Sequence, residues 1–167
     1  MHIYKNEKTS INGFLEDYAF VIDGFISLYE ATFDENWLLH SKNLTNYCLD
    51  HFYDEKKQLF RFTSDLDEAL ISSHFEIEDN VIPASNSVMA SNLFKLSVYF
   101  ENSHYEEISR QMVSQIIPSI DYPSAFSHWL IAALHFSDYQ KELAICGEAS
   151  LVHLKEINQN YFPSIVL

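Results

Sequence analysis

A chain of 167 residues can build one domain with a real core but leaves no room for a second of ordinary size. Hydrophobic residues make up 47% and only three glycines and four prolines interrupt them, which excludes a disordered or collagen-like chain. The 10 Lys and Arg stand against 24 Asp and Glu, a formal net charge of −14 that repels polyphosphate and excludes nucleic acid and anionic membranes as expected partners.

The opening residues Met1-His2-Ile3-Tyr4-Lys5-Asn6 lack the apolar run of a signal peptide, and no stretch approaches the roughly 20 apolar residues of a membrane span. A cytoplasmic location is expected. Cys48 and Cys146 form no Cys-x-x-Cys motif, so two buried thiols in a reducing compartment are the expectation.

From about residue 13 to 32, Phe14, Tyr18, Val21, Ile22, Phe25, Leu28 and Tyr29 recur at helical spacing while Leu15, Ala19 and Ile26 fill a neighbouring stripe. A helix this apolar around its circumference predicts cover on more than one side, hence a place in an inner layer. Asp34 reads as the N-cap of a second helix over 35–53, and the tight connection makes the two an antiparallel hairpin.

Between 54 and 85 the helical period fails. Gln58 to Phe62 and Ile71 to Ile77 read as short extended segments in a long loop, the kind of insertion that often carries function. A third helix is predicted over 86–101, with Ser87, Ala90 and Ser91 offering small surfaces for close packing. Ser103-His104-Tyr105-Glu106 reads as a capping box opening a fourth helix over 104–117, which stops before Pro118 and completes a second hairpin.

A fifth helix is predicted over 123–138. The tail, 140–167, reads as β-α-β: a buried strand at Leu143-Ala144-Ile145-Cys146, a turn at Gly147, an amphipathic helix from Ala149 to Tyr161, and strand-like Ser164-Ile165-Val166-Leu167. Ending on so apolar a run predicts a chain cut from a longer protein. The expected class is therefore mainly all-α, antiparallel helical hairpins with a small β-α-β tail.

Two groups of polar residues stand out. Glu16 and Asp17 open the first helix beside Tyr18; carboxylates there complement the helix dipole, and they can also face a cleft, bind sugar hydroxyls or share acid and base roles. Glu76, Glu78 and Asp79 precede Asn80-Val81-Ile82-Pro83-Ala84-Ser85-Asn86-Ser87, either a solvated loop before an ordinary helix cap or a set of donors and acceptors for a polar ligand. Eight histidines show no metal-ligand spacing; His128 and His135, seven apart on one helix, cannot share a tetrahedral centre unaided. No Gly-rich phosphate loop is present, so neither a metal nor a cofactor is expected.

Ile11-Asn12-Gly13-Phe14-Leu15-Glu16-Asp17-Tyr18-Ala19-Phe20, the loop Asp79 to Ser87, and Glu142-Leu143-Ala144-Ile145-Cys146-Gly147 together resemble the family that carries a thioredoxin-like domain ahead of an αα-toroid, including the spermatogenesis-associated thioredoxin-like proteins. Its toroid is similar to those of N-acylglucosamine 2-epimerases and six-hairpin glycosidases. The resemblance implies that this chain is the later part of the toroid, lacking the thioredoxin-like domain and the earlier hairpins, so that the unclosed ring self-associates. It also implies that Glu16, Asp17, Asp79 and Asn86 line a central funnel, with Glu16, Asp17 and Asp79 in catalytic roles and Tyr18, Glu78, Ser85 and Asn86 binding a carbohydrate. A non-catalytic docking platform for a thioredoxin-like domain is the other function it allows. Asn80 and Ala84-Ser85 stand where members often carry Gly and Ser-Gly, which bears on the loop backbone because glycine tolerates positive φ.

Overall fold

The structure, a computed structural model, describes residues 2–5, 7–68, 73–137, 141–160, 162 and 165–166. Strands β1 (Ile3–Lys5) and β2 (Lys8–Ser10) form an antiparallel hairpin, followed by helices α1 (Leu15–Thr32) and α2 (Glu35–His51). A second small hairpin, β3 (Tyr53–Asp54) with β4 (Leu59–Phe60), leads through an irregular loop to α3 (Ser85–Tyr99) and α4 (Ser103–Ile116). Short 3-10 turns at Ile117–Ser119 and Pro123–Ala125 precede α5 (Ser127–Leu134). The tail is β5 (Lys141–Glu142), α6 (Ser150–Ile157) and β6 (Ile165–Val166), with β5 and β6 paired in parallel.

The helices dominate, as the hydrophobic period predicts, and α1–α2 and α3–α4 are the two expected hairpins. The Asp34 side chain accepts the Asn36 N–H, confirming it as the cap of α2. The cap of α4 is Asn102, not Ser103: its Oδ1 takes the N–H groups of His104 and Tyr105, which places Ser103 inside the first turn. The N-terminal β1–β2 hairpin has no counterpart in the sequence reading. The fifth helix is broken where one continuous helix is expected, because Phe126 (φ −138°) separates the 3-10 turn from α5; its expected end at 138 lies outside the described residues.

Close packing comes from small residues. Ser109 Oγ donates to the Ala90 carbonyl at 2.6 Å across the second hairpin, and Ser41 Oγ bonds the Trp37 carbonyl at 3.0 Å while facing the Ile22 carbonyl of α1. Helix α3 lies between α1 and α5, with Asn92 Nδ2 donating to the Ala19 carbonyl at 2.8 Å and Lys95 reaching Glu30 at 3.2 Å. Helices α2 and α4 stand behind, joined by the Tyr105 hydroxyl on Asn46. The core gathers Leu15, Ile22 and Ile26 of α1 with Met89, Leu93 and Leu96 of α3, and Trp129 of α5.

Two expectations about burial are corrected. Helix α1 buries one stripe, Leu15, Ala19, Ile22 and Ile26, yet leaves Val21 45% and Leu28 41% exposed. The helix enclosed on nearly all sides is α3, whose Ser85, Asn86, Ser87 and Asn92 are fully buried. In the tail, Leu143 to Cys146 do not form the strand; β5 sits two residues earlier, so Cys146 is exposed and only Cys48 is buried. Of the loop run from Ile71 to Ile77, residues 71 and 72 lie outside the described residues, and 73–77 are irregular.

Replacing Ala90 with Val places added methyl groups at a fully buried position of the most enclosed helix. Urea denaturation is expected to show a loss of about 1–3 kcal/mol, the usual cost of overpacking a well-packed core. The same change at exposed Ala31 should cost under about 0.7 kcal/mol, within the range of helix propensity.

Candidate functional site

The first four N–H groups of any α-helix lack intrahelical partners. Helices α1, α3 and α5 begin at the same end of the molecule, and residues 60–62 and 76–79 reach all three beginnings. Its Phe62 carbonyl accepts the Leu15 N–H of α1 at 2.9 Å. Glu76 Oε2 takes the Ser85 N–H of α3 at 3.0 Å, and Asp79 Oδ2 takes the His128 N–H of α5 at 2.8 Å. The Ile77 carbonyl adds the indole N–H of Trp129 at 2.8 Å.

At α1, the N-cap is Phe14, which has no side-chain acceptor. Asp17 supplies the charge instead, reaching back so that its Oδ2 accepts the Phe14 N–H at 2.9 Å and meets His2 Nδ1 at 2.8 Å. Tyr18 turns inward against Tyr47 and Phe52, with ring centroids 5.2 and 5.4 Å away. Burial, then the hydrogen bond with Tyr47, pushes its phenol up to about 12. A Cβ at Gly13 would lie 2.9 Å from the Tyr18 ring, so the Gly-x-x-x-x-Tyr spacing is a packing requirement. Asp17 and Tyr18, with His2, Gly13, Val21 and Leu44, line a cavity of about 330 Å³.

At α3, the loop's polar residues are committed to the backbone. Asn86 is fully buried; its Oδ1 accepts the Phe60 N–H at 2.8 Å and its Nδ2 donates to the Phe60 and Glu76 carbonyls at 2.9 and 3.0 Å. Asp79 Oδ1 takes the Ala84 N–H at 2.9 Å, and its Oδ2 takes the Ser127 hydroxyl at 3.1 Å besides the His128 N–H. Ser85 Oγ is buried without a partner among the described residues, and Glu78 is exposed. Asn80, Ala84 and Ser85 are absent from the left-handed residues, so the backbone at these positions does not require glycine.

The predicted site residues thus fall into two groups on one end of the molecule. Asp79, Ser85 and Asn86 assemble at the start of α3, whereas Asp17 and Tyr18 border the separate cavity at α1; Glu16, half-exposed, lines neither. No local pattern in the sequence points to His2, whose partner Asp17 is fifteen residues away across the N-terminal hairpin, and the spacing of His128 speaks only against a metal centre shared with His135. The His128 imidazole is held low by burial, against the opposing pull of Asp79 and Asp23. Among the described residues no three His, Cys, Asp or Glu side chains gather as metal ligands, and no helix is long and apolar enough to cross a membrane.

Asp79→Ala is expected to cost about 2–3 kcal/mol in chemical denaturation, because it strips the cap from α5 and the Ala84 N–H together. Glu78→Ala should stay within about 0.5 kcal/mol. His128 gives a pH signature. Its folded pKa lies below the ordinary 6.5, so the unfolded chain binds the proton first and stability contributed by the neutral ring, full above 6.5, falls as pH drops below it. His128→Gln should flatten that part of the stability curve.

No family model matches the chain. Over 161 residues, 93% of its length, the chain is 36% identical to spermatogenesis-associated protein 20 of Mus musculus and 36% identical to that of Rattus norvegicus. It is 27% identical to the Homo sapiens protein of the same name over an equal span. The chain spans only 20% of the length of these curated relatives. Nearly the whole of this chain is therefore homologous to one segment of spermatogenesis-associated protein 20.

Proposed function

We propose that this chain is part of an αα-toroid in a longer thioredoxin-domain-containing protein, and that the end where α1, α3 and α5 begin binds a carbohydrate. The observation that carries this reading is the cavity beside Asp17 and Tyr18. Asp17 Oδ2 is occupied by Phe14 and His2, while Oδ1 takes no bond from any described residue and offers an acceptor to a sugar hydroxyl. Tyr18, Val21 and Leu44 supply apolar wall, and a few convergent polar groups on such a wall are the usual make-up of a small-molecule site. Asp79 and Asn86 serve the site by holding three helix ends in register. An acid or base role for Asp79, as in an epimerase-like or glycosidase-like enzyme, requires releasing its backbone partners, so binding is favoured over turnover in this chain by itself; Glu16 and Asp17 remain the carboxylates open to such chemistry.

A docking platform is the second reading, favoured by apolar residues on the outer helices. Val21 and Leu28 of α1 and Leu130, Ile131 and Leu134 of α5 are exposed at opposite edges of the α1–α3–α5 row. In the intact longer protein these edges receive the neighbouring hairpins, and the thioredoxin-like domain docks on the completed body. Alone, the chain self-associates through them. A cytoplasmic location accompanies both readings, since the exposed Cys146 thiol is unpaired.

Calorimetric titration of the intact protein with monosaccharides and disaccharides is expected to find a ligand whose affinity drops about ten-fold, or ~1.4 kcal/mol, in Asp17→Asn. Indifference of every sugar to that substitution would sink the carbohydrate reading. Sedimentation of the 167-residue chain should show dimers or larger species, and a strictly monomeric profile with no dye-binding apolar surface would remove the edge-packing argument.

A further inference from the structure

The other end of the molecule carries a second cavity, of about 400 Å³, between the last turns of α1 and α3 and the tail. Asp17 and Tyr29 are separated by about 18 Å of helix at 1.5 Å per residue, so this site is distinct from the one at the start of α1. Tyr29, Phe33 and Tyr99 share its walls with Glu35, Glu142 and aliphatic residues of α3 and the tail. Tyr29 and Tyr99 meet nearly edge to face, 5.1 Å between centroids at 75°, and Tyr29 and Phe33 lie 5.8 Å apart at 41°, so the rings form a corner with faces in different directions.

Three further observations give this corner one electrostatic sense. Neither α1 nor α3 has a basic residue in its own last turn, and the cation nearest the end of α3, Lys42 of α2, lies over the Phe100 ring at 4.4 Å and not among the lining residues of the cavity. Lys95, the cation that reaches this part of α3, is paired to Glu30, which also accepts the Tyr99 hydroxyl at 3.0 Å. Burial and then Glu35 and Glu30 raise the Tyr29 phenol, in keeping with a negative field.

Phe33 contributes the third ring from a left-handed backbone position, a conformation this chain also gives to Ile11 and Glu101. It ends α1 in the left-handed region, φ 55° and ψ 23°, with its N–H on the Tyr29 carbonyl at 2.7 Å. Glycine is the favoured residue for that conformation, and a bulky residue held there is strained.

We propose that this cavity is a binding site for a small organic cation of the quaternary ammonium class. Aromatic faces set at an angle attract a diffuse alkylated cation through the ring quadrupole, and the carboxylates supply the net charge. A hard metal ion of the calcium kind, which takes about six to eight oxygen ligands, is a poor fit because only two carboxylate residues border the space. The volume lies within the range of about 300–1,000 Å³ that small-molecule sites occupy.

The probe is choline, set against its neutral carbon isostere in which a tert-butyl group replaces trimethylammonium, both titrated into the full chain and followed by aromatic NMR signals and calorimetry. Choline is expected to saturate, to shift Tyr29 and Tyr99, and to bind at least about ten-fold more tightly than the isostere. Glu35→Gln, at an exposed position that leaves the core untouched, should weaken choline and spare the isostere. Phe33→Gly should keep or raise the melting temperature, by relieving the left-handed residue, while abolishing the preference for the cation. Absence of saturable choline binding, equal binding of the isostere, or insensitivity of the preference to both substitutions would each overturn the assignment.

Discussion

Three helices that begin side by side at one end of a molecule place a dozen or so unpartnered N–H groups in a small area, by the usual count of about four per helix. Water can satisfy such groups at an exposed end, but Leu15, Ser85 and Asn86 are fully buried. Residues 60–62 and 76–79 answer that need, lending a carbonyl from Phe62 to α1 and carboxylates from Glu76 and Asp79 to α3 and α5. Because residues of one loop make all three contacts, they also fix the helices relative to each other. Asn86 locks them in place by bonding Phe60 as a neighbouring strand would, through both its amide groups.

This arrangement changes how the acidity of the chain is understood. Carboxylates are drawn to helix beginnings by the positive end of the macrodipole, and Asp17, Glu76 and Asp79 all sit there with backbone N–H partners. A carboxylate holding such partners is kept from moving, which suits a structural brace better than a proton shuttle. Asp17 differs from the other two because it borders an open cavity. That is why any ligand chemistry at this end of the molecule centres on α1 and its neighbour His2.

How much of this was legible in the sequence depends on the range of each interaction. Helical periodicity and the Asp34 cap are local, and both read correctly; the Asn102 cap was displaced to Ser103 because two competent capping residues stand side by side. Burial of α1 and α3 was read in the wrong order. Hydropathy ranks the apolar helix as the inner one, yet serine, asparagine and alanine permit the closest backbone approach, as Ser109 on the Ala90 carbonyl demonstrates. The candidate residues Asp79 and Asn86 were legible as a dense polar cluster before a helix. Their partners were not, since Asn86 meets Phe60 across twenty-six residues and Asp79 meets His128 across forty-nine. No local pattern encodes which backbone groups a side chain will find at that separation.

The two ends of the α1–α3 pair have opposite electrostatic problems, and the chain treats them differently. At the beginning, positive helix ends are closed by a dedicated segment that matches each donor with an acceptor. At the finish, neither helix has a basic residue in its own last turn, Lys42 of α2 lies over Phe100 at the end of α3, and the space beside them is bordered by Glu35 and Glu142 as well as by aromatic rings. Folding alone would favour a lysine in those last turns and a glycine at Phe33, each a small and easily reached gain. Both are absent. A negative, aromatic-walled space that forgoes both gains is accounted for if its complementary charge arrives from outside the chain, which gives the tail a role beyond covering the ends of α1 and α3: strand β5 carries Glu142 to the edge of the cavity.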